Sequence, residues 1–255
     1  SKFYKNYLKK SISVVTCNKI ACADKLENYK ELKYLSKNYN APFLFETNVG
    51  ASLPIIDTLK NLIASGDEII SIQAVLSGSL NYVFNNFKKK DTFHEIVEDA
   101  KNLGFTEPDP KIDLSGTDVA RKILILSRES GLDIEFNEII NEQFLPMSCL
   151  EIKGYKNFIQ SLIKEKNHFN NLLDEAINKN ERLKYVAEMT NGKAKVSLKS
   201  VDKNHPFYNL EGSDNIVLFY TSRYSKQPLI VKGAGAGAEV TAAGIFADII
   251  RIANR

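Results

Sequence analysis

Asn191-Gly192 separates two stretches in which apolar and polar residues alternate, 184–189 and 194–199. Both residues tolerate the left-handed backbone of a tight two-residue turn, so this dipeptide between such stretches specifies an antiparallel hairpin. A hairpin alone is marginal in water and needs more strands or a helix to cover it. Residues 216–221 and 228–231 read as further strands, and 69–76 alternates well enough for a half-buried one. Elsewhere the apolar spacing is helical: 24–37 with Leu32 and Leu35, 55–63, 92–103, 155–164, 169–177 and 240–252. Short apolar strands at 12–15 and 42–46 precede helices, and residues 1–10 read as a helix tail with Tyr4 and Leu8 inward. The expected class is α/β, with an open sheet packed on helices in the later half.

The chemistry concentrates at residues 104–131. Pro108 and Pro110 each fix their own φ and push the preceding residue out of the helical region. Glu107, Asp109 and Asp113 are therefore expected on an extended, rigid loop. A helix follows, with Ser115 as its expected N-cap, Val119, Ile123 and Leu126 inward, and Gly131 as its stop. Asp118 and Lys122 are four apart and share a face. A capping box and an ordinary surface ion pair describe these residues equally well at this level.

Other turns invite ligands by their place. Thr16-Cys17-Asn18-Lys19 follows the first strand, at the end where doubly wound folds meet ligands. Ser77-Gly78-Ser79 is a tight strand-to-helix turn whose free N–H groups suit an anion. Ser52, with Pro54 near the first turn, is the expected cap of the helix that Gly66 closes. His94 reads as a surface residue and His205 as a structural one.

Net charge is only +3, and the one basic run is 88–90, so nothing argues for nucleic acid. Three cysteines, Cys17, Cys22 and Cys149, lack zinc-finger spacing and fit a reducing cytoplasm. No apolar run reaches the roughly 18 residues of a membrane span. The basic N-terminus has no apolar h-region and does not read as a signal peptide.

The string TEPDP followed by D-L-S-G-x-D-V-A-R-K resembles the catalytic signature of homoserine dehydrogenases. It departs at Ile112, where that family often has a second acidic residue. The resemblance continues in VVTCNK, ETNVGASLP, LSGSLNYVF and the terminal GAGAGAEVTAAGIFAD, and covers nearly all of the chain. It implies that Asp118 and Lys122 serve proton transfer. Glu107, Asp113, Lys19, Gly78 and Ser79 would bind the substrate, homoserine or aspartate semialdehyde. Thr16, Lys19 and Gly237 would lie at an NAD or NADP cofactor, and the backbone at Glu46, Val49, Ala51 and Leu53 would hold a monovalent cation such as sodium.

The same resemblance implies a domain plan. Residues 1–47 and 233–255 would be the remnant of a Rossmann-type nucleotide-binding domain, and 48–232 an α+β catalytic domain whose sheet makes a homodimer. The family's G-x-G-x-x-G turn occurs nowhere in these 255 residues. The expectation is therefore the later part of a longer enzyme, fused behind an aspartokinase, that binds cofactor weakly and does not turn over by itself. A non-catalytic dimerisation module is the alternative, and NAD versus NADP stays open.

Overall fold

The computed structural model describes residues 1–254. After α1 (Tyr4–Leu8), the chain runs β1 (Val14–Val15), α2 (Leu26–Asn38), β2 (Phe43–Leu44), a 3-10 turn at Glu46–Asn48, and α3 (Ile55–Ala64). β1 and β2 pair in parallel, Val14 opposite Phe43 and Val15 opposite Leu44. α2 is the crossover, burying Tyr29, Leu32 and Leu35. Both strands are shorter than expected. Ile12 is exposed, the chain turns at Thr16 where the hydroxyl takes the Asn18 N–H at 3.0 Å, and Phe45 (φ −152°, ψ 36°) leaves the extended region.

The expected Ser52 cap of α3 is not made. Pro54 occupies the cap position, and the Glu46 carboxylate accepts from the Ile56 and Asp57 N–H groups at 2.7 and 2.9 Å. Gly50 (φ +76°) and Ala51 (φ +51°) curl the backbone so that a residue ten positions upstream reaches the helix start. Gly66, at φ +80°, closes α3 as expected.

The second sheet contains β3 (Ile69–Val75), β4 (Ile140–Asn141), β5 (Arg182–Thr190), β6 (Lys193–Val201), β7 (Asp214–Thr221) and β8 (Leu229–Ala234), in the order β4-β6-β5-β3-β7-β8. All pairings are antiparallel except β4 with β6. Asn191 (φ +49°) and Gly192 (φ +72°) make the anticipated turn, with Thr190 opposite Lys193.

Between β3 and β4 the chain forms α4 (Gly78–Asn86), α5 (Phe93–Asn102), α6 (Pro110–Leu114) and α7 (Thr117–Glu129). After β4 come α8 (Met147–Leu150), α9 (Tyr155–Lys164) and α10 (Lys166–Asn178), and α11 (Ala238–Ala253) follows β8. α7 is not the one-sided helix that its spacing predicts. Every residue from Ile123 to Arg128 is buried, because α3 packs on one side of it and β5 and β6 on the other. Its Arg128 donates to the carbonyls of Cys22 (2.9 Å) and Asp24 (2.7 Å), which ties the loop after β1 to this central helix.

One sheet face, with Ile72, Tyr185, Ala187, Val196, Val217 and Phe219, joins the main core. On the opposite face Val186, Ile216 and Leu218 are buried under Phe207 and Leu210 of the 202–213 loop. α11 packs back on the 3-10 turn and β1, so the two ends of the chain meet. Gly244 makes this close approach possible, since a Cβ there would lie 2.5 Å from the Thr47 methyl.

Candidate active site

The first turn of α7 is anchored before any chemistry is considered. Gly116 sits at φ +69°, and a Cβ there would lie 1.9 Å from the Tyr185 hydroxyl, so only glycine fits. Tyr185 donates to the Asn141 side-chain oxygen at 3.0 Å, and the Asn141 amide donates to the Ser115 carbonyl at 3.0 Å. Gly116, not Ser115, is the N-cap; Ser115 ends α6 instead. Sheet and helix start are thereby locked together.

On this anchored turn, Asp118 meets Lys122 at 2.9 Å, and Lys19 reaches the other oxygen of Asp118 at 3.2 Å. Lys122 also donates to the Leu76 carbonyl at 2.7 Å. Burial opposes ionisation of Asp118, yet Lys122 and Lys19 together hold its carboxyl below the ordinary range. Burial pushes the Lys122 ammonium below its ordinary range; the Asp118 charge opposes that shift and the Lys19 charge adds to it. Two amines thus share one carboxylate, which favours a lysine that can part with its proton.

A second carboxylate stands nearby. Asp113 accepts from the Ser79 hydroxyl at 3.0 Å and from the Glu107 N–H at 2.9 Å. Burial raises the Asp113 pKa, and these two hydrogen bonds pull against it. Asp113 is not on an extended loop as expected. Asp109 caps α6 by accepting from the Lys111 N–H at 3.2 Å, Pro110 takes the first helical position, and Asp113 falls one turn later.

A cleft of about 590 Å³ is lined by Lys19, Glu107, Asp113 and Asp118 among the expected residues. Lys122, Gly78 and Ser79 stand outside this lining: Lys122 lies behind Asp118, Ser79 supports Asp113 from behind, and Gly78 packs against the Ser213 backbone. Arg121, Lys111 and Thr117 also line the cleft and were missed. Arg121 could have been found, since it lies three residues after Asp118 on a helix.

The other expected positions lie at the β1–β2 end. The Thr16 hydroxyl is taken by Tyr4 (2.9 Å) and by the Asn18 N–H (3.0 Å), and its own N–H donates to the Leu44 carbonyl at 3.0 Å. Gly237, at φ +123°, is the cap position of α11. The Glu46 carboxylate is committed to α3, so only its backbone could serve a cation. The Val49 and Ala51 carbonyls, on buried residues, accept no hydrogen bond among the described residues, while Leu53 accepts from the Ile55 N–H at 2.8 Å. No cluster of three His, Cys, Asp or Glu side chains suited to a metal occurs among the described residues.

Residues 54–250 match the family profile described as homoserine dehydrogenase. A maize bifunctional aspartokinase/homoserine dehydrogenase is 44% identical over 253 residues, covering 98% of this chain but 28% of that protein. The chain thus spans little more than a quarter of such bifunctional relatives. The homoserine dehydrogenase of Schizosaccharomyces pombe is 42% identical, covering 99% of this chain and 69% of that one. Among solved structures, a Candida auris protein of unknown function superposes with a TM-score of 0.94 at 38% identity, covering 100% of this chain and 73% of that one. A hyperthermophilic archaeal homoserine dehydrogenase in complex with NADPH gives 0.74 at 30%, covering 98% and 66%.

Proposed function

Because the chain belongs to the homoserine dehydrogenase family, we propose that its cleft interconverts aspartate semialdehyde and homoserine with NADPH or NADH. The observation that carries this reading is the Lys122–Asp118–Lys19 cluster, whose Asp118 and Lys19 line one cleft together with Asp113 and Glu107. A bound nicotinamide would supply or accept the hydride. The chain's own part is to place the substrate and to move one proton.

In the reductive direction Lys122, as ammonium, gives its proton to the aldehyde oxygen while that carbon gains the hydride. In the oxidative direction neutral Lys122 takes the hydroxyl proton, and Asp118 holds the amine in line. Asp113 and Glu107 offer carboxylates to the substrate's ammonium group. Lys19, already paired with Asp118, lies where a nicotinamide carboxamide or the substrate carboxylate would approach. Residues 1–47 with 233–255 form the part of a nucleotide domain that this chain contributes, with Thr16 and Gly237 toward the cofactor. The backbone near Val49 and Ala51 fits a monovalent cation, since two carbonyls of buried residues there are uncommitted.

We further propose a homodimer formed on the outer sheet face, where Ile230, opposite Leu218, remains 45% exposed. Three free thiols suit a reducing compartment such as the cytoplasm. No described helix is long and apolar enough to cross a membrane.

The test is an assay of the full-length protein with homoserine and aspartate semialdehyde, with each nicotinamide cofactor. Turnover is expected with one of them, and its absence with both overturns the reading. Glu107→Gln should raise KM for homoserine more than it changes KM for the cofactor. A shift confined to the cofactor would remove Glu107 from the substrate side. Light scattering of the chain should give about twice its 28.7 kDa mass.

A further inference from the structure

Lys184 of β5 is 1% exposed and takes no part in the cleft. Its Nζ donates to three neutral oxygens: the Leu210 carbonyl at 2.6 Å, the Asn85 side-chain oxygen at 2.6 Å and the Asn81 side-chain oxygen at 3.2 Å. A buried ammonium is expensive, and an apolar side chain of similar volume is usually the more stable choice. The arrangement therefore needs a reason beyond stability.

The two asparagines supply it. An amide whose oxygen faces an ammonium must turn its NH2 the other way. Here both NH2 groups point to the backbone of 210–214. Asn81 donates to the carbonyls of Gly212 (3.0 Å), Asp214 (3.3 Å) and Glu211 (3.5 Å). Asn85 donates to those of Leu210 (3.0 Å) and Gly212 (3.3 Å). One amine thus fixes two amides, and together they hold four carbonyls of one loop.

That loop leans on the start of α4. A Cβ on Gly78 would lie 3.0 Å from the Ser213 carbonyl oxygen, so the loop backbone packs directly on the turn. The next residue, Ser79, donates to Asp113. Asn81 belongs to the same helix, one turn on from Ser77. A continuous path of contacts runs from Lys184 through the asparagines and the 210–214 loop to Gly78, Ser79 and Asp113.

We propose that Lys184 is a positioning residue for the substrate side of the cleft. By orienting Asn81 and Asn85 it holds the 210–214 loop against Gly78, and so keeps Ser79 on Asp113. This rests on the reading of the cleft as the dehydrogenase site. The charged groups that bear on the amine are Arg182 on its own strand, Glu211 in the loop and Lys232 on β8.

The test compares Lys184→Met and Asn85→Asp in the full-length protein. Asn85→Asp keeps an oxygen on the ammonium but removes the donors to Leu210 and Gly212, so it separates the charge from the loop. Each variant should raise KM for homoserine about tenfold, the worth of one or two hydrogen bonds. The cofactor KM and kcat should stay within about twofold, and amide exchange at 210–214 and at Ser79 should quicken. If Lys184→Met does not fold, Asn85→Asp alone decides. A wild type that turns over neither substrate overturns the cleft reading and this proposal with it. Turnover in the wild type with an unmoved homoserine KM overturns this proposal alone. So does a parallel loss of kcat and both KM values, which would mark a merely structural lysine.

Discussion

Lys122 and Lys184 are two buried lysines in two differently built regions. Burial pushes the ammonium of each below its ordinary range. Lys122 has a carboxylate partner, Asp118, whose side chain is 44% exposed on the cleft wall. Lys184 has only amide and carbonyl oxygens around it, and no carboxylate accepts from it. A depressed amine therefore does not mark catalysis by itself. What separates the two is whether the partner that holds the proton also faces a place where a substrate can sit.

The largest effect expected from this contrast is on turnover. Lys122→Ala should lower kcat by roughly 10²–10⁴-fold, the usual share of a general acid–base group. A variant that keeps full kcat would place the proton transfer elsewhere and break the distinction between the regions. The same lysine sets a pH dependence. Its amine must be neutral to take a proton from homoserine, so the oxidation rate should climb with pH and level off below the ordinary lysine range near 10.5. Reduction, which needs the ammonium, should fall across the same interval. Parallel profiles in the two directions would remove Lys122 as the group that exchanges the proton.

Gly116→Ala strikes the joint between the regions, where α7 meets Tyr185, the strand neighbour of Lys184. It combines a left-handed backbone with overlap on a buried ring, which together cost about 2–4 kcal/mol. Denaturant unfolding should show it. An unchanged midpoint would mean that the helix start can shift without cost, and that the cleft is less firmly tied to the sheet than its hydrogen bonds suggest.

The smallest expected effect is in the pH dependence of stability. Lys184 is held at about 8, against 10.5 for an ordinary lysine. Between these values the unfolded chain binds more protons than the folded one, so stability rises with pH through this window. Below about 8 both states are protonated and the slope vanishes. Lys184→Met should flatten that part of the curve relative to the wild type. Identical slopes would mean that the amine is better solvated than its 1% exposure implies.

Much of this was legible in the chain. The Asn191-Gly192 hairpin, the helix at Tyr155–Lys164 and the stop at Gly66 depend on local backbone preference and on periodicity, and were readable as such. The pairing of Asp118 with Lys122 was also local, being one helical turn. Less was readable where contacts cross the sequence. The strands near Val14 and Phe43 were overextended, because a ladder ends where its partner ends. Ser52 was given a cap that Glu46 makes, and Gly116 displaced Ser115 because Tyr185 leaves no room for a Cβ.

By itself, then, the sequence determined the α/β class, most helices and strands, the acid–amine pair on α7, and the carboxylate-rich segment before it. Those depend on residues within a few positions of one another, where spacing alone sets which side chains share a face. Only the tertiary structure decided that Lys19 shares Asp118, that Ser79 stands behind Asp113, that Arg121 enters the cleft, and that Lys184 holds a loop more than twenty residues away. Each of these joins elements whose separation along the chain carries no periodic signal. Their partners are selected by packing around α7 and across the sheet, where burial makes an unpaired polar group too costly to leave alone.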